Sequence, residues 1–168
     1  MWCLGRYDFI EHAVRVGSRR IPRYLGIDYG SKRIGVALSD VGGSIASPLT
    51  VLQQPGSLEA QARAVIALGA EHEVAVYVLG IPLNMDGTAG AQAKQTQSFG
   101  TLLNKLSGKE VAEWDERLSS RAADWHLAEA ELTRKQRKAL RDALAAQIIL
   151  QGFLDAQDRQ PPGDAAAC

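Results

Sequence analysis

A chain of 168 residues has the length of one domain, and its 46% hydrophobic residues are enough to fill a core. Lys+Arg and Asp+Glu both number 19, so net charge gives no warrant for a wholesale nucleic-acid or membrane binder. The cysteines, Cys3 and Cys168, stand at opposite ends, which excludes a disulfide framework and metal-ligand spacing and favours a reduced, cytoplasmic setting.

Residues 1–22 carry Asp8, Glu11 and His12 where a secretion signal needs an apolar core. They read as a partly disordered extension, with the domain proper over 23–157. No apolar run approaches the ~18 residues of a membrane span. From Tyr24 to Asp40 two apolar runs flank a turn made by Gly30, Ser31 and Lys32, which predicts two short strands in a hairpin. Asp28 ends the first run. A carboxylate there is either a turn former bonded to nearby N–H groups, or a group that needs a partner: a cation, or a phosphate-bearing ligand held through a metal. Val41-Gly42-Gly43-Ser44 is a turn signal, and residues 45–52 read as a third strand. Pro48 puts that strand at a sheet edge, so the first three strands form an antiparallel meander.

Ser57 is a candidate N-cap for a helix over 58–70, with Glu59 in its first turn. The continuous apolar run 74–80 suits a strand buried on both faces, as in a parallel arrangement. Pro82 and Asp86-Gly87 make the next stretch a loop. Phe99, Leu102, Leu103 and Leu106 give the stripe of a helix over about 89–106, stopped by Ser107-Gly108. Residues 110–114 alternate and form a short fifth strand, and Ser119 or Ser120 caps a further helix through about residue 131. The last helix, about 135–157, carries Asp142 on one stripe with Ala146, Ile149 and Phe153. The tail, 158–168, reads as disordered.

Three acids, Asp28, Glu116 and Asp142, thus fall at element ends or on an inward face. With the first strand central in the sheet, all three can converge. Close carboxylates need a counter-charge, and hard ions such as Mg²⁺ or Mn²⁺ take oxygen ligands of this kind. Asp115 and Glu116 are adjacent, so a regular strand points them to opposite faces, and Glu116 is the one assigned to the site. Against this, Glu116 and Arg117 also fit an exposed ion pair, and Arg137 or Arg141 could neutralise Asp142. The basic group Arg134, Lys135, Arg137, Lys138 and Arg141 is either a phosphate-holding surface or a solvated helix face.

The chain resembles the YqgF/RuvX family of nucleases assigned to pre-16S ribosomal RNA, within the RNase H-like superfamily. The resemblance spans about residues 23–155. It rests on four stretches in order: Asp28-Tyr29-Gly30-Ser31-Lys32-Arg33-Ile34-Gly35 onward, Gly80-Ile81-Pro82-Leu83-Asn84-Met85-Asp86-Gly87-Thr88, Asp115-Glu116-Arg117-Leu118-Ser119-Ser120, and Asp142 followed by Ala145-Ala146, Ile149-Leu150 and Phe153-Leu154. Phe153 stands where many relatives have Tyr, and Arg121-Ala122 where relatives often have an acid. The resemblance implies an α/β, RNase H-like fold: a five-stranded mixed sheet, antiparallel in its first three strands and then parallel, flanked by helices. It implies Asp28, Glu116 and Asp142 as catalytic metal-binding acids for Mg²⁺ or Mn²⁺. Lys32, Arg33 and Arg117 would contact phosphate or nearby acids, and Asn84 with its loop would touch substrate. The implied activity is two-metal phosphodiester hydrolysis at the 5′ end of pre-16S rRNA in ribosome biogenesis, by a monomer or weak homodimer. Cleavage of Holliday junctions or branched DNA is the alternative. A non-catalytic RNA-binding assembly factor is a further one. A sugar-kinase or actin-like nucleotide site needs two such subdomains, for which one chain of this length lacks room.

Overall fold

The computed structural model describes residues 21–53, 56–118 and 134–158, leaving aside the side chains of 134–139. The expectations for the N-terminal extension, the helix after Ser120, the basic group up to Lys138 and the tail beyond Asp158 lie outside the described residues. Within them run β1 (Tyr24–Tyr29), β2 (Arg33–Ser39), β3 (Ala46–Gln53), α1 (Leu58–Glu71), β4 (Val76–Ile81), α2 (Ala91–Ser107), β5 (Glu110–Asp115), a 3₁₀ turn (Glu116–Leu118) and α3 (Arg134–Asp158). The sheet order is β3-β2-β1-β4-β5. β1, β2 and β3 pair antiparallel, whereas β4 and β5 join parallel.

Local chemistry explains the boundaries. β3 lies at an edge, where the missing N–H of Pro48 costs no ladder bond. Beside it the register slips: Val36 faces Thr50 but Ala37 faces Pro48, so Leu49 is the extra residue of a bulge. Ser57 caps α1 by accepting from the Ala60 N–H at 3.3 Å. Gly108 ends α2 in the left-handed conformation, its N–H on the Asn104 carbonyl. Two starts differ from the periodicity. β4 begins at Val76 because the N–H groups of Val74 and Ala75 bond to Gly69 and Arg23. α2 begins at Ala91 because Gly90 is its N-cap.

Strand alternation divides the core. Leu25, Ile27 and Tyr29 of β1, Ile34, Val36 and Leu38 of β2, and Tyr77, Leu79 and Ile81 of β4 pack on α1 and α2 through Ala62, Val65, Phe99 and Leu103. Tyr29 stacks on Phe99 and its hydroxyl donates to Gln61 at 2.8 Å. The opposite face takes α3, through Ala146, Ile149, Leu150 and Leu154. Where the helix crosses β1 and β2, that face presents glycines. A Cβ on Gly26 would stand 2.6 Å from the Leu150 Cβ, and one on Gly35 would stand 2.0 Å from the Asp142 carbonyl oxygen. The α3 backbone therefore rests directly on β1 and β2.

This packing makes a prediction. Gly35→Ala must push α3 away from the sheet, and urea unfolding should show a loss on the order of 3 kcal/mol. Gly108→Ala meets open space and strains only the backbone at φ +65°, so its loss should be about 1–2 kcal/mol. Equal losses for the two would mean that α3 does not press on β2.

Candidate active site

The parallel strands β1, β4 and β5 end at one edge of the sheet, and β2 begins there. Asp28, near the end of β1, shares the α3 face with Tyr24 and Gly26 by alternation. It pairs across the ladder with Gly35, the residue that α3 touches at Asp142. Arg33 is two residues before Gly35 and on the same face. Its Nε donates to Asp142 Oδ2 at 2.8 Å, and the two side chains are only 13% and 28% exposed. The charge partner of Asp142 among the described residues is thus Arg33, on another element; Arg141 is exposed, and the side chain of Arg137 lies outside the described residues.

Glu116 follows the same parity. Trp114 packs toward Phe153 of α3, ring edge to face at 6.0 Å, so residue 116 falls on that face and Asp115 on the other. Gly80 makes room between them: a Cβ there would stand 2.9 Å from Glu116 Oε1. Gly80 lies one step beyond the Ile27–Leu79 pair and so beside Asp28. Burial first, and then the charge of Asp28, pushes Glu116 up to about 7. Burial and then the charge of Asp142 pushes Asp28 up to about 6. Each acid thus feels the next. Even so, no group of three or more His, Cys, Asp or Glu side chains among the described residues is close enough to hold one metal ion. Asp142 is turned to Arg33, and the acids are coupled by charge without closing into a ligand set.

The neighbouring residues have other partners. Arg117 grips Asp115 through Nε and Nη2, at 3.0 and 2.6 Å, and its own N–H also donates to Asp115. Its Nη1 donates to the carbonyl oxygens of Asn84 and Met85. These bonds hold the Asp115 carboxyl well below the usual range. Asn84 folds its own loop, donating through Nδ2 to Thr88 Oγ1 at 2.9 Å. Lys32 is exposed at the hairpin tip, where the Gly30 N–H closes the turn on the Arg33 carbonyl. The sequence reading gave no role to Gly35 or Gly80. Their signal was glycine inside an apolar strand, which marks a close approach.

Three antiparallel strands continued by two parallel ones, with helices on both faces and acids at the carboxyl edge, define an RNase H-like domain of the resolvase type. Thermus thermophilus RuvC bound to a Holliday junction superposes with a TM-score of 0.53 at 15% identity, covering 82% of this chain and 96% of that one. The yeast mitochondrial Holliday junction resolvase Ydc2 gives 0.50 at 14% identity, covering 82% and 79%. These likenesses show the fold. The family model described as "RuvX: Holliday junction resolvase" matches residues 22–156. A Myxococcus xanthus protein named "Putative pre-16S rRNA nuclease" is 45% identical over 83% of this chain and 91% of its own length. One of the same name from Rhodobacter capsulatus is 43% identical over 92% and 94%. The chain belongs to the RuvX family.

The raised acids set a pH dependence. Unfolded carboxyls titrate near pH 4, so between there and about pH 7 the folded chain holds more protons than the unfolded one. The contribution of these groups is fully present below the unfolded values and is lost as the pH rises through the folded ones. In chelator, the melting temperature should therefore fall from pH 5 to pH 8. Asp28→Asn combined with Glu116→Gln should flatten that fall. A double variant as steep as the parent would mean that these acids do not carry it.

Proposed function

We propose that the chain is a divalent-metal-dependent nuclease that hydrolyses phosphodiester bonds at the Asp28, Glu116 and Asp142 edge of the sheet. The observation that carries this reading is the pair Asp28 and Glu116: two carboxylates from β1 and from the turn after β5, both burdened by burial and by like charge. A hard cation relieves both costs, and a set of carboxylate oxygens fits Mg²⁺ or Mn²⁺. Asp28, Glu116 and Asp142 would hold the metal. Bound there, it would supply an activated water and stabilise the leaving oxygen. The chain's own groups bind and orient. Lys32, exposed at the hairpin tip, and Arg33, bound to Asp142, would draw in the phosphate backbone. The Asn84 loop, fastened by Arg117, would meet the substrate on the β4 side.

The relatives' names favour precursor 16S ribosomal RNA as substrate, and the proposed reaction is processing of its 5′ end in the cytoplasm. No helix among the described residues is long and apolar enough to cross a membrane. The second reading is cleavage of branched DNA, favoured by the family model's description.

Labelled pre-16S RNA and a four-way DNA junction, incubated side by side with Mn²⁺ and with chelator, test both. RNA should be cut, and only with metal. Preferred cutting of the junction would favour the second reading. Asp28→Asn should lower cleavage at least 100-fold while binding of the RNA persists. Full cleavage by that variant would overturn the nuclease site proposed here, and binding without cleavage by the parent would make the chain an assembly factor.

A further inference from the structure

We propose that Arg33 is a counter-cation built into the acid site: it holds Asp142 until a divalent ion takes that carboxylate, and is then free for a substrate phosphate. This rests on the reading of the site as a divalent-ion centre.

Three observations carry it. First, the Arg33–Asp142 pair is largely shielded from water, with Nε and Oδ2 at 2.8 Å. It differs from exposed pairs such as Arg63–Glu59, whose side chains are 67% and 55% exposed and which contribute little. Second, the pair is imposed by packing. Gly35, on the same strand and face as Arg33, lies against the Asp142 backbone, so the helix cannot carry Asp142 away from the strand that carries Arg33. Third, Arg33 meets only the outermost of the coupled acids. Asp28 faces Gly35 across the ladder, Gly35 lies against Asp142, and Gly80, beside Asp28, lies against Glu116. The guanidinium therefore neutralises one end of a row of three carboxylates.

A guanidinium and a divalent ion compete for one carboxylate, because two cations a few ångströms apart in a half-buried site repel each other strongly. An ion that recruits Asp142 must break the bond from Arg33 Nε. The cost lowers metal affinity in the free protein. The freed guanidinium, still anchored at the start of β2, has the fork geometry that suits a phosphate oxygen pair. A phosphate that takes Arg33 in turn releases Asp142 for the ion, so metal and nucleic acid each tighten the binding of the other. The site thus resists filling with metal until substrate arrives.

Calorimetric titration of the full chain with Mn²⁺ alone tests this, after treatment with chelator and with no nucleic acid present. Arg33→Met should bind Mn²⁺ about tenfold more tightly than the parent, a change of about 1.4 kcal/mol. Arg33→Gln keeps a donor for Asp142 without the charge, and should also bind more tightly; it carries the test if the methionine variant melts below the working temperature. Unchanged affinity in the folded variants overturns the proposal and leaves the metal reading intact. Weaker binding also overturns it, because Arg33 would then be orienting Asp142 for the ion. Absence of saturable Mn²⁺ binding by the parent itself overturns both.

Discussion

The close approach of α3 to the sheet is the constraint on which the site depends. An aspartate side chain is short. An acid on a helix can meet groups on a strand only if the two backbones nearly touch. The central strands achieve this by presenting Gly26 and Gly35 to the helix, and the helix answers with Ala143 and Ala146, both buried. Larger residues at those positions would bury more apolar area, at roughly 25 cal/mol per Å², but would lift Asp142 out of reach of Arg33 and Asp28. The apolar load of α3 is instead carried further along, by Ile149, Leu150 and Leu154, and by Phe153 against Tyr24 and Trp114. One half of the helix anchors and the other half positions.

The electrostatics run against stability. Asp28 and Glu116 are both pushed up by burial and by neighbours of the same sign. A sequence selected for stability alone would remove one of them, and their retention at the carboxyl edge of the strands is the usual mark of a working site. The opposite sheet face carries no acid pushed up in this way among the described residues. There Tyr29 donates to Gln61, whereas the buried Tyr77 hydroxyl, against Gly69, has no hydrogen-bond partner among the described residues.

Much of this was legible in the sequence because it depends on local periodicity. The two apolar runs around the Gly30-Ser31-Lys32 turn, with Pro48 in the third strand, were enough to order the meander. Adjacency alone separated Asp115 from Glu116. Other features depend on contacts that periodicity cannot carry. Arg141 is next to Asp142 along the chain, yet Arg33, more than a hundred positions away, is its partner among the described residues, because Gly35 lets the helix settle over β2. Gly80 reads as the end of an apolar run until β4 is known to lie between β1, which carries Asp28, and β5, which leads into Glu116.

Arg117 shows best how topology changes the meaning of a residue. In the sequence Asp115-Glu116-Arg117 is a row of charges that fits a surface pair or a phosphate contact. In the fold it is a clamp. Arg117 returns to Asp115 with both its backbone N–H and its guanidinium, which closes the chain into a 3₁₀ turn at Glu116. Asp115 is then committed on the α2 face, so the acid between the two clamped residues is the one that turns toward Asp28. The remaining Nη1 reaches the carbonyls of Asn84 and Met85, so the same side chain also fixes the loop after β4. Each of the three charges therefore has a distinct physical task, and a lysine at 117 would lose the two-sided grip, because an ammonium lacks the planar fork that spans a carboxylate on one side and two carbonyls on the other.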